Sequence, residues 1–92
     1  MSMSRAHVCV SGKVQGVCFR ASTKDKAHML GVKGWVKNCM DGGVEAVFEG
    51  EKSAIDEIVS WCKKGPSGAL VEKIDVCSEE YAGEFDEFSI AY

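Results

Sequence analysis

Residues 5 to 11 alternate, with Ala6, Val8 and Val10 on one side and His7, Cys9 and Ser11 on the other. A period of two is that of a strand with one buried face. Between residues 20 and 30 the period lengthens. Thr23, Ala27 and Leu30 recur at helical spacing, Lys24, Asp25, Lys26 and His28 fall mostly toward water, and Gly31 supplies a C-terminal stop. A second strand is expected over residues 32–40, a tight turn at Asp41-Gly42-Gly43, and a third strand over 44–50 with Val44, Ala46 and Phe48 opposite Glu45, Val47 and Glu49. Ser53 reads as the N-cap of a second helix, whose Ile55, Ile58, Val59 and Cys62 follow the i, i+3, i+4, i+7 rule. Lys63 and Lys64 suit the negative end of that helix, and Gly65-Pro66-Ser67-Gly68 breaks it. A fourth strand is expected over 71–77 and a mobile loop over 78–84. Residues 85–92 should close the chain as a fifth strand, with Phe88 and Ile90 inward.

This order is β-α-β-β-α-β with a terminal strand, the split βαβ arrangement of an α+β, ferredoxin-like sandwich. It implies one domain over residues 1–92, with two helices on one face of a mainly antiparallel sheet of four to five strands. The first helix carries the chain back, so strands one and two run parallel and end at the same rim. Arg20 and Asn38 meet there.

The 92 residues carry a net charge of −3 with both signs interspersed, and this leaves no basic stripe for a nucleic-acid backbone. No apolar run approaches the ~20 residues of a membrane helix, and the start of the chain has no apolar leader-like core. A cytoplasmic monomer is the expectation. Five cysteines, at 9, 18, 39, 62 and 77, are an odd number without a C-x-x-C pair, which argues against a disulfide framework or a thiolate metal site. They read as free thiols serving as small hydrophobes. His7 reads as an ordinary strand histidine, because no partner carboxylate or nucleophile is apparent around it, and His28 complements a helix dipole.

The stretch with chemical character is Val10 to Arg20, a strand running into a glycine-bearing loop and then a helix opened by arginine. The backbone N–H groups from Gln15 through Gly16, Val17 and Cys18 to Phe19 can cradle a tetrahedral anion together with the forked guanidinium of Arg20. Gly12 and Gly16 allow the tight backbone. Asn38 shares its strand face with Val36 and Met40, rather than with Trp35, Lys37 and Cys39, so its amide is expected to turn toward the helix layer and need partners. Pattern alone leaves an ordinary connection equally open, with Arg20 at the surface and Asn38 satisfying a backbone group.

Two separated motifs, Val10-x-Gly12-x-Val14-Gln15-Gly16-Val17-x-Phe19-Arg20 and Gly34-Trp35-Val36-Lys37-Asn38 followed by Gly42, Val44 and Gly50, resemble the acylphosphatase family. The similarity extends to the Gly65-Pro66 loop and the closing Phe88-x-Ile90. The resemblance implies hydrolysis of acyl phosphates to a carboxylate and inorganic phosphate, without metal or cofactor. It also implies that Arg20 and the loop amides hold the phosphoryl group while Asn38 positions the attacking water. Cys18 stands where many relatives have glycine or an aromatic residue, and Cys39 where threonine is frequent, which leaves Cys18 open as a thiol-modification site. Two other classes remain: a module that binds a phosphorylated or carboxylated metabolite without cleaving it, and a metal chaperone, which would need paired thiolates near the first loop.

Overall fold

The computed structural model describes residues 2–91. Met1, and Tyr92 at the end of the fifth strand expected from sequence, lie outside the described residues. Five strands and two helices follow the expected order: β1 (Met3–Lys13), α1 (Phe19–Leu30), β2 (Lys33–Asn38), β3 (Val44–Glu51), α2 (Lys52–Cys62), β4 (Leu70–Glu79) and β5 (Phe88–Ile90). The sheet order is β4-β1-β3-β2-β5, antiparallel except for the parallel β2–β5 pair. β1, β2 and β5 therefore all point the same way.

The even face of β1 is the core face. Ala6, Val8 and Val10 are buried, as are Val44, Ala46 and Phe48 on β3 and Val36 on β2. α1 closes over them with Phe19, Thr23 and Ala27, and α2 with Ile55, Ile58 and Cys62. Thr23 is tolerated there because its hydroxyl donates to Phe19 O at 2.7 Å, satisfying the one polar atom buried with it. The Phe48 and Phe88 rings stack 5.7 Å apart and knit β5 to the sheet. Each of these fully buried large side chains contributes roughly 1.5–3 kcal/mol.

Several boundaries differ from the sequence reading. β2 stops at Asn38 because the Met40–Gly42 turn begins at once, and Met40 is fully exposed rather than on the core face. The N-cap of α2 is Glu51, two residues before Ser53, which lies inside the helix, and no side chain among the described residues caps that end.

The largest departure is the stretch after β4. That strand runs on to Glu79, and the segment behind it is laid down rather than loose. Topology explains why. β4 and β5 sit at opposite edges of the sheet, so the connection must cross its whole width. It crosses the face without helices, where Arg5 and Glu49 are direct neighbours on β1 and β3. The Glu49 carboxylate is 3% exposed and accepts the N–H groups of Ala82 at 2.9 Å, Gly83 at 3.3 Å and Glu84 at 3.3 Å. Arg5 reaches Glu49 at 3.2 Å, Glu79 at 2.8 Å and Glu84, and lies over the Phe85 ring.

Burial alone would push the Glu49 carboxyl up. The Ala82 N–H, the Arg5 guanidinium and the Gly83 N–H outweigh it, and the group ends below the ordinary glutamate value. A depressed folded pKa contributes stability that is complete above the unfolded value of about 4.3 and is lost as pH falls through the folded one. Glu49→Gln should therefore cost about 2 kcal/mol at neutral pH. The gap from wild type in urea melts should close below about pH 4. A gap that persisted in strong acid would assign the loss to packing instead.

Candidate active site

The rim where β1, β2 and β5 all end holds a cavity of about 330 Å³, lined among others by Gly16, Cys18, Phe19, Arg20, Asn38 and Ile90. Its size is at the small end of ligand sites, suited to a compact molecule. Among the described residues its walls carry no carboxylate and no imidazole.

The loop reaches this rim through a bulge in β1 at Ser11/Gly12. Gly12 has φ +123°, and a Cβ there would stand 2.2 Å from Leu70 O, so the turn away from β4 requires glycine. Val14 then buries its side chain and pins the loop to the core. Beyond it Gly16 (φ 73°) and Cys18 (φ 63°) are both left-handed, with Val17 between them in ordinary backbone. Alternation of this kind can turn successive N–H groups toward a common side, as in an anion-binding nest.

Cys18 is the N-cap of α1, and the first helical bond runs from Ser22 N–H to Cys18 O at 3.0 Å. Among the described residues no side chain caps this end, and the first turn carries no acid, so the positive end of the helix meets the cavity with no charge of its own first turn set against it. Phe19 anchors the turn from below, buried and tilted against Trp61 with ring centroids 5.6 Å apart.

Gly16, Cys18, Phe19, Arg20 and Asn38, five of the residues singled out from sequence, line the cavity. Gln15 and Val17 support it instead. The Gln15 carboxamide donates to Cys39 O and Gly43 O, each at 2.8 Å, and ties the loop to the β2–β3 turn. Val17 packs against the core beside Gly68. Ile90 was missed as a wall residue. Its inward alternation was legible, but the parallel pairing of Val36 with Ile90 that carries it to this rim was not.

Asn38 ends β2 opposite Val44. Its Oδ1 is buried and has no hydrogen-bond partner among the described residues. Leaving such an acceptor unpaired costs about 1–3 kcal/mol. A cost of that size at a cavity wall asks for an explanation that packing alone does not supply.

Cys18 is the one non-glycine residue with positive φ among those described, and it is exposed rather than packed. The left-handed region costs a side chain about 1–2 kcal/mol, part of which glycine would return as extra unfolded-state entropy. Cys18→Gly should raise stability by about 0.5–1 kcal/mol, read as a higher melting temperature. An unchanged or lower value would mean that the thiol makes a compensating contact.

The other cysteines divide. Cys62 is the small buried hydrophobe expected, its thiol pushed up to about 12 by burial. Cys9 and Cys77 are exposed and Cys39 half-buried, because the outward face of the sheet has no helix layer to cover it. The reading of His7 as lacking a carboxylate partner is also corrected, since Nε2 lies 2.5 Å from Glu45 Oε2 and Nδ1 lies 3.8 Å from Glu79 Oε2. Both partners are brought in by strand register, which residue spacing does not display.

Two helices on one face of a sheet ordered β4-β1-β3-β2-β5 place the chain among the ferredoxin-like α+β proteins. Within that class it belongs to the acylphosphatase family, whose sequence profile, described as Acylphosphatase, matches residues 6–90. It is 58% identical to an acylphosphatase of Roseiflexus sp. (strain RS-1), over 100% of this chain and 99% of that one. It is 54% identical to an acylphosphatase of Syntrophus aciditrophicus (strain SB), covering 98% of this chain and 94% of that one. The crystal structure of acylphosphatase from Bacillus subtilis superimposes with a TM-score of 0.92 at 34% identity, over 99% of this chain and 100% of that one.

Proposed function

We propose that this chain, as a single domain over residues 1–92, hydrolyses acyl phosphates to a carboxylate and inorganic phosphate. The observation that carries the reading is the buried Oδ1 of Asn38, without a hydrogen-bond partner among the described residues, in the wall of the cavity that Arg20 also lines. In this mechanism the N–H groups from Gln15 to Phe19 and the Arg20 guanidinium hold the phosphoryl oxygens and draw off charge as the bond to the leaving oxygen stretches. Asn38 accepts a hydrogen bond from a water and holds its oxygen in line with phosphorus.

The new bond is water oxygen to phosphorus, and the bond broken is phosphorus to acyl oxygen. The carboxylate departs with the bonding pair and needs no protonation, while the water's proton ends on phosphate. Positioning and fixed positive charge are sufficient for this chemistry, which fits walls that, among the described residues, carry no carboxylate or imidazole to serve as acid or base. Metal and cofactor independence belong to the same proposal.

We place this activity in a cytoplasmic monomer without a nucleic-acid partner. No described helix is long and apolar enough to cross a membrane, the net charge is −3, and the large exposed apolar side chains are contributed singly by separate elements apart from Leu70 and Val76 on β4.

Purified protein should turn over benzoyl phosphate and acetyl phosphate in the presence of a chelator. Turnover abolished by chelation would sink the metal-free mechanism. Phosphate binding by calorimetry with no turnover would leave a binding module.

A further inference from the structure

The face of the sheet opposite the helices is organised in cross-strand rows. One contains Lys33, Glu49, Arg5 and Glu79, the next Trp35, Val47, His7 and Cys77, and the third Lys37, Glu45, Cys9 and Asp75. The segment after β4 engages the first row through Glu49 and Arg5. In the other two, imidazole, thiol and carboxylate converge. His7 and Cys9 are two apart on β1 and so share this face, and Glu45 is the direct β3 neighbour of Cys9.

One ligand-competent atom from each of His7, Cys9 and Glu45 lies within 4.8 Å of the others. His7 Nε2 and Glu45 Oε2 are already 2.5 Å apart. A tetrahedral cation with sulfur at about 2.3 Å and nitrogen or oxygen at about 2.0 Å needs its ligand atoms roughly 3.5 Å from one another. Rotation of the exposed Cys9 side chain and a small opening of the His7–Glu45 pair supply that spacing.

Two further features suit a metal. The second imidazole nitrogen, Nδ1, faces Glu79 Oε2 at 3.8 Å, and Glu79 is itself held by Arg5 Nε at 2.8 Å. A carboxylate behind a histidine is the usual partner that fixes a metal-binding imidazole in orientation and tautomer. Beside Cys9 a cleft of about 190 Å³, bordered by Cys39, Asp41 and Asp75, gives a cation and a water ligand a route in.

We propose that His7 Nε2, Cys9 Sγ and a Glu45 carboxylate oxygen form a site for a borderline-soft divalent cation of the Zn²⁺ type, completed by water. Sulfur and nitrogen donors favour such an ion over Mg²⁺ or Ca²⁺. On binding, the Cys9 S–H bond breaks, its electron pair forms the sulfur–metal bond and one proton passes to solvent. Thiolate and carboxylate together then balance the metal's charge. Lys37 Nζ, 3.8 Å from Glu45 Oε1, stands on the far side of that carboxylate as a weak competitor.

Co²⁺ is the probe, added to the full chain and followed by absorbance. One equivalent should produce the charge-transfer band of a Co²⁺–thiolate bond, and Zn²⁺ should abolish it. Cys9→Ser should remove the band. His7→Gln and Glu45→Gln should each weaken Co²⁺ binding by more than about tenfold, since even outer partners of metal ligands are worth that much. Cys18→Ser should bind as wild type, and thermal melts of every variant establish that it is folded.

No thiolate band in wild type would overturn the proposal. So would a band that survives in Cys9→Ser, one lost in Cys18→Ser, or affinity indifferent to both His7→Gln and Glu45→Gln. These readouts are independent of hydrolysis at the other site.

Discussion

Arg20→Gln should lower kcat/KM for benzoyl phosphate by roughly a thousandfold, about 4 kcal/mol of lost transition-state stabilisation. The guanidinium is the cationic side chain that lines the cavity among the described residues, and it sits in the first turn of a helix that has no acid in that turn and no side-chain cap among the described residues. Charge on the phosphoryl oxygens is present in the substrate and redistributed in the transition state, so both KM and kcat should worsen. Inhibition by inorganic phosphate should weaken in parallel. Arg20→Lys restores the charge without the planar fork and should recover only part of the loss. A decrease of less than about tenfold in Arg20→Gln would remove Arg20 from the mechanism and leave the loop N–H groups as the main anion holders.

The local parts of this fold were legible because their signals are local. Alternation along residues 5–11 displayed the buried face of β1, the Ile55, Ile58 and Cys62 stripe displayed α2, and Gly31 marked the end of α1. The site was legible in its chain order, since one strand, one glycine loop and one helix start are contiguous. What could not be read is what register decides. The Glu49 carboxylate, patterned as a solvent-facing strand residue, is buried because the path from β4 to β5 has to cross it. The His7–Glu45 contact joins residues 38 apart through the β1–β3 ladder. Met40 was assigned to the wrong side because alternation was carried past the end of β2, where the turn had already released the chain.

The crossing segment also connects the two faces of the molecule. Glu49 receives its three N–H groups on the open face, and a few residues later the same chain enters β5, whose Ile90 forms a wall of the cavity. Parallel pairing of β5 with β2 then places Ile90 beside Val36, two residues before Asn38. A buried carboxylate away from the cavity thus anchors the segment that leads into β5.

Asn38→Ala is expected to lower kcat by several hundredfold, about 3–4 kcal/mol, with KM and phosphate inhibition changed by no more than about threefold. The asymmetry follows from the role proposed for it. A residue that aims water makes its contribution along the reaction coordinate, whereas one that holds phosphate contributes before it. Stability supplies the second half of the test. Asn38 Oδ1 is buried without a partner among the described residues, so removing it relieves a desolvation cost of about 1–3 kcal/mol against a modest loss of packing. The variant should melt at or above the wild-type temperature while nearly inactive, the trade expected where a site is held at the expense of stability. A variant that melted well below wild type yet kept its kcat would show Asn38 to be a structural residue. The water would then have to be positioned by another group on the same rim.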